Sequence, residues 1–190
     1  MDNENKKKLL WITRTAIFVA LLIVTQVTTV PLGNTLVTGT LVNMLLIVCV
    51  MTGGLASGIT VALISPLMAK LLGIGPLWSL IPFIAAGNTT LVLIWNFLGN
   101  RNMGRKIFAY IVALIAAAAG KFLILYLGIV QIAVPVFLGL PEKQAAVISN
   151  MFSIPQLFHA MIGGALATAL LPVLKKAIRA GVTLDPDAPR

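Results

Sequence analysis

The residues with the most chemistry to offer are one lysine and a few amides set in otherwise apolar stretches. Lys121 stands inside RKIFAYIVALIAAAAGKFLILYLG, residues 105–128. An ammonium within a membrane helix costs at least about 2.5 to 3.5 kcal/mol on insertion scales, so it usually faces the protein interior and often a ligand or partner charge. The acidic residues are Asp2, Glu4, Glu142, Asp185 and Asp187, and all lie outside the apolar runs. No carboxylate of the chain is placed to neutralise Lys121. Either it reaches a lipid headgroup or something external satisfies it.

Gln26, Asn43, Asn88, Gln156 and His159 are further polar side chains that fall within or at the edge of apolar runs. Buried amides and an ammonium require hydrogen-bond partners, so a cluster of them at one depth means a satisfied polar network or a ligand pocket. Trp78 stands where it could cover such a pocket, and Trp78 or Phe122 could stack on a ring. Gln26 and Asn43 also have a plainer use as polar glue between neighbouring helices. His159 is the single histidine, so a metal site is not expected, and no cofactor is either. An intramembrane hydrolase would need a nucleophile beside a base. Ser57 in GLASG is the best candidate, but it belongs near the end of its helix opposite to that of His159. GGLASGIT lacks the Gly-Lys-Ser/Thr ending that holds nucleotide phosphates, so neither an enzyme nor a self-powered pump is expected.

These side chains need a scaffold, and composition specifies its class. Hydrophobic residues make up 59% of the 190 and charged residues 10%, against about 25% charged in soluble domains. With a mean hydropathy of +1.02, the chain reads as an integral membrane protein of one domain. The net charge of +9 does not point to nucleic acid, because the basic residues sit in clusters between apolar runs rather than on one solvated face. Cys49 is the only cysteine, so no internal disulfide is possible.

Length and hydropathy predict six spans, at about 9–30, 36–52, 55–72, 77–98, 106–127 and 155–174, with a basic N-terminus at 1–8 and a polar tail at 175–190. The basic start before an apolar run also resembles a secretory signal, but the run is long and no small-x-small site follows it. Pro66 removes a hydrogen bond inside the third span, and Gly163 and Gly164 permit close packing of the sixth. Residues 128–155 are too short in their apolar part and too broken by proline to span. They are expected to form a long loop with a membrane-dipping portion.

Six spans place both termini on one side together with Lys6, Lys7, Lys8, Arg14, Arg101, Arg105, Lys106, Lys175, Lys176, Arg179 and Arg190; Lys70 and Lys143 fall opposite. By the positive-inside rule the basic face is cytoplasmic. The expected architecture is therefore an all-α bundle of six transmembrane helices in the cell membrane, with both termini cytoplasmic. Gln26, Asn43, Lys121, Gln156 and His159 then share the outer half, with Asn88 at mid-depth. Ala16 and Ala20, a small-xxx-small pair, lie in the cytoplasmic half.

The start RTAIFVALLIV with its Ala16-xxx-Ala20 pair, six short spans, a polar outer half and the closing IPQLFHAMIGGALA together resemble the substrate-binding S component of energy-coupling factor transporters. The resemblance implies outward capture of a vitamin or related micronutrient. It also implies partnership with a transmembrane coupling protein, contacted through Ala16 and Ala20, and with two cytosolic ATPases. The segment 128–155 is similar in position to loops that help close the site in that family. An unpaired Lys121 favours a substrate with a carboxylate, a phosphate or another strong acceptor. Two other readings are a membrane assembly or scaffold protein whose polar cluster is helix glue, and a self-contained permease.

Overall fold

The computed structural model describes residues 3–74, 77–101 and 106–183. It is an all-α protein: α1 Asn3–Thr29, α2 Thr35–Gly53, α3 Leu55–Leu71, α4 Ile81–Gly99, α5 Lys106–Leu125, α6 Glu142–Met151 and α7 Ile154–Thr183. Five helical stretches are long and apolar enough to cross a membrane: Glu4–Leu32, Thr35–Gly53, Trp78–Gly99, Lys106–Phe137 and Glu142–Ile178. Leu55–Leu71 is apolar but shorter. The helices thus follow the expected order with shifted limits. In particular, α7 carries its helical backbone through Lys175 and Lys176 to Thr183.

Turn chemistry sets the boundaries. Asn34 caps α2, its side-chain oxygen accepting from the Leu36 N–H at 3.0 Å, which satisfies one of the donors a helix start leaves unpaired. Gly54, at φ +91°, makes the sharp passage from α2 to α3 in a conformation that a side chain would strain. Pro82 lies in the first turn of α4, where its missing N–H is no loss.

The segment after Leu125 corrects the expectation of a loop at 128–155. The chain stays helical from Tyr126 to Phe137 with π-type, five-residue spacing, closed by Leu138 N–H on the Ala133 carbonyl at 3.0 Å. After a turn it forms α6. Gly128 and Pro135 suggested a break because proline collides with the preceding turn of an α-helix; the wider π-turn leaves room for the ring. Ile129 and Ala133 of this segment pack with Leu80, Leu125 and Phe152, so apolar burial holds it in place. One continuous helix therefore runs Lys106–Phe137, and Lys121 stands about halfway along it rather than near its end.

Consecutive spans run antiparallel, while α1 lies parallel to α3 and α2 parallel to α7. At one end Thr15 of α1 hydrogen-bonds Ser57 of α3 at 2.9 Å, and Lys175 of α7 donates to the Tyr110 hydroxyl of α5 at 3.3 Å. Tyr110 leans on Trp95 of α4, ring centres 5.9 Å apart. This is the end that carries Lys6, Lys7, Lys8 and Lys106. At the other end Thr38 of α2 donates to Thr29 of α1 at 2.8 Å. The main core, including Leu22, Leu46, Ile47, Val61, Leu91, Trp95 and Leu171, lies between the two ends.

Candidate functional site

The polar centre of the site is set by α2 with α4, α5 and α7. The contact of α2 with α7 is close because glycine faces backbone. A Cβ on Gly163 would stand 2.5 Å from the Thr40 carbonyl oxygen and 2.8 Å from the Asn43 Cβ. One turn away the roles exchange, with Gly39 of α2 accepting the His159 ring of α7 where any Cβ would collide with it. These two glycines bring Asn43 and His159 to the same level of the bundle.

From α5, Lys121 reaches between α2 and α4. Its ammonium donates to Asn43 Oδ1 at 2.6 Å and to Asn88 Oδ1 at 2.7 Å. The amide of Asn43 is oriented in turn, because its Nδ2 donates to the Gly39 carbonyl at 2.9 Å. That bond fixes which end of the side chain faces the lysine. All three residues are buried, Lys121 at 4% exposure. The arrangement satisfies two N–H groups of the ammonium but leaves its charge without a carboxylate among the described residues. Neutral acceptors hydrogen-bond a charge without cancelling it.

The clamp forms part of the wall of a cavity of about 320 Å³, at the small end of the roughly 300–1,000 Å³ usual for ligand sites. Its lining runs from Lys121 and Asn88 outward to Gly33, Asn34 and Ile74, at the bundle end opposite the basic one. Much of the remaining wall is apolar, including Val30, Val42, Ile81, Ile84 and Phe152. Gln26 of α1 also lines it, 4% exposed, with its Oε1 buried and unpaired among the described residues. A buried acceptor without a donor costs about 1–3 kcal/mol, which makes Gln26 an unmet demand in the wall.

Of the residues that the sequence singles out, Lys121, Asn88, Asn43, Gln156, His159 and Gln26 line this one cavity. Gln156 also holds the α6–α7 junction, donating from Nε2 to the Met151 carbonyl at 3.1 Å. Trp78 is the exception, standing outside the lining. It is 57% exposed, at the start of the short helical turn Trp78–Leu80, and its neighbours Leu77 and Ile81 line the cavity instead. The Lys70 ammonium lies 6.0 Å from the centre of its ring. Phe122 likewise faces elsewhere, stacked on Tyr126 with centroids 5.6 Å apart.

Some lining residues escaped the sequence reading. Ser65, next to Pro66 on α3, was detectable as a hydroxyl in an apolar run. Met151 and Phe152 were not, because they lie in the stretch read as a loop. Among the described residues no group of three or more His, Cys, Asp or Glu converges, so the polar chemistry of the cavity rests on the ammonium groups of Lys121 and Lys70, amides, hydroxyls and an imidazole.

At the basic half of the bundle, Ala16 and Ala20 are exposed and line a shallow groove between α1 and α3 with Trp11, Ile12, Thr15, Val19, Ile23 and Ile64. Their small side chains leave the α1 backbone open to close approach by another helix. Ser57 and His159 occupy separate places, the first bonded to Thr15 and the second set against Gly39. No family model matches the chain, and no curated protein or solved structure matches it either.

Proposed function

We propose that this chain lies in the cell membrane with both termini cytoplasmic and captures a small acidic micronutrient from outside, as the substrate-binding S component of an energy-coupling factor type transporter. The observation that carries the reading is Lys121: a buried ammonium on a cavity wall, held by two neutral amide oxygens and without a counter-charge among the described residues. Such a group binds an anion through charge-assisted hydrogen bonds, with little competition from water once the cavity is filled. Orientation follows from the lysines and arginines at the other end of the bundle, which the positive-inside rule assigns to the cytoplasm and which thereby turn the cavity outward. The chain has no nucleotide-binding loop, so uptake relies on the coupling protein and two cytosolic ATPases that the sequence resemblance implies. The exposed groove at Ala16 and Ala20 suits that coupling contact.

The test is mass spectrometry of small molecules released by denaturing the purified protein, with Lys121→Met alongside. One acidic compound near one per chain, missing from the variant, is the expected result. An empty protein that also fails to bind a panel of acidic micronutrients would move the assignment to a membrane assembly protein.

A further inference from the structure

We propose that the cavity selects a singly charged carboxylic acid whose body is largely apolar and carries one N–H or O–H donor, the carboxylate meeting Lys121 and Asn88 and the donor meeting Gln26. This rests on reading the cavity as a capture site, and it narrows the class of solute.

The charge inventory comes first. Lys121 holds its ammonium at the inner wall, and among the described residues no Asp or Glu lines the cavity. A cationic solute would meet uncompensated repulsion there. A zwitterionic amino acid would satisfy Lys121 but bring an ammonium that meets neutral acceptors alone, with no carboxylate to offset its charge. Lys70 also lines the cavity, but nearer the bundle end, with its ammonium 6.0 Å from the centre of the Trp78 ring, so the charge at the inner wall is that of Lys121.

The donor inventory separates carboxylate from phosphate. Lys121 has one N–H left after Asn43 and Asn88, and the Nδ2 of Asn88 has no partner among the described residues. Two donors suit the two oxygens of a carboxylate. A phosphate monoester presents three oxygens and close to two charges, and it is typically held by several donors such as guanidinium forks or runs of free backbone N–H groups. The inner wall offers neither, because Asn43, Asn88 and Lys121 all project from helices whose N–H groups are used within the helix.

Gln26 supplies the second recognition element. Its Oε1 is buried, unpaired among the described residues and part of the same wall, on α1, whereas the carboxylate site is made by α4 and α5. A solute bridging them meets apolar side chains such as Val42, Ile81 and Ile84 on the way. Buried acceptors discriminate strongly against ligands that cannot donate to them.

The test uses the full chain in nanodiscs, exposed to a defined mixture. Each largely apolar monocarboxylic acid, with and without an N–H or O–H donor on its body, is matched by its primary amide, its phosphate-monoester analogue and its α-amino acid analogue. Compounds retained through gel filtration are quantified. Acids should be retained at least about tenfold over their amides, and donor-bearing acids about fivefold or more over donor-free ones, in keeping with charged and neutral hydrogen bonds respectively. Lys121→Met should abolish the first ratio and Gln26→Leu should bring the second to about one. Should Lys121→Met fail to fold, Asn88→Asp replaces it: the new carboxylate pairs with Lys121 inside the protein and should exclude the acids while the fold is kept.

Preferential retention of phosphates, zwitterions or amides by the native protein would overturn the inference and leave capture standing. A donor preference untouched by Gln26→Leu would remove the role of Gln26. Retention of none of the compounds, or of a phospholipid in their place, would overturn the capture reading and this inference with it.

Discussion

Lys121 and Asn43 are 78 residues apart in the chain and 2.6 Å apart in the fold, the ammonium of one on the amide oxygen of the other. Asn88 completes the clamp, so α2, α4 and α5 are tied at one buried point. Because the tie consists of a charge on neutral acceptors, its parts depend on one another.

Asn88→Leu is expected to destabilise the protein by about 1.5–3 kcal/mol, since it removes a hydrogen bond to a buried charge. In the Lys121→Met background the same change should cost much less, giving a coupling of about 0.5–3 kcal/mol in a double-mutant cycle. Unfolding in mixed detergent measures both. Additive losses would mean that the two side chains do not act together.

Gly163→Ala tests the closeness of α2 and α7. The added Cβ meets the Thr40 carbonyl and the Asn43 Cβ, neither of which is the yielding end of a flexible side chain. Overpacking of this kind costs about 1–3 kcal/mol. Because Asn43 is displaced as well, retention of acidic solutes should fall along with thermal stability.

Trp78→Ala should change retention of acidic solutes by no more than about twofold, the usual range for an exposed position. Its ring stands outside the cavity lining, so a larger loss, read in the same gel-filtration assay, would place it over the mouth after all.

In a Cys49→Ala background, a membrane-impermeant maleimide should label Lys143→Cys on intact cells and Lys176→Cys only after permeabilisation. That pattern follows from the positive-inside rule. The reverse pattern would turn the cavity inward and end the proposal of uptake.

Ala16→Trp and Ala20→Trp should leave solute retention unchanged and abolish transport by the complete complex. Both positions are exposed, so the fold tolerates a larger side chain, whereas a helix docking closely against α1 does not. Unchanged transport would remove the coupling role from this groove.

Much of the cavity wall was legible in the sequence because polar groups are costly in apolar helices, and a costly residue announces itself. Lys121, Asn43, Asn88, Gln26 and His159 stood out on that ground alone. Trp78 differs because span position gives a residue's level along the bundle, whereas the direction in which it projects is set by packing. The π-helical continuation was hidden for another reason. Gly128 and Pro135 carry the marks of a break, and only the burial of Ile129 and Ala133 against Leu80 and Phe152 keeps the backbone helical there. With that stretch read as a loop, Met151 and Phe152 could not be assigned to the wall.

The order of the clamp along the chain bears on how the charge enters the bilayer at all. A growing chain is delivered from its N-terminus, so the helices bearing Asn43 and Asn88 leave the ribosome before the one bearing Lys121. The two oxygens are then available when the ammonium arrives, and the lysine helix need not dwell in lipid with its charge unmet. A circular permutant that begins at α5 would lose that sequence of arrivals, and its yield of inserted protein should drop even though the finished bundle has the same contacts.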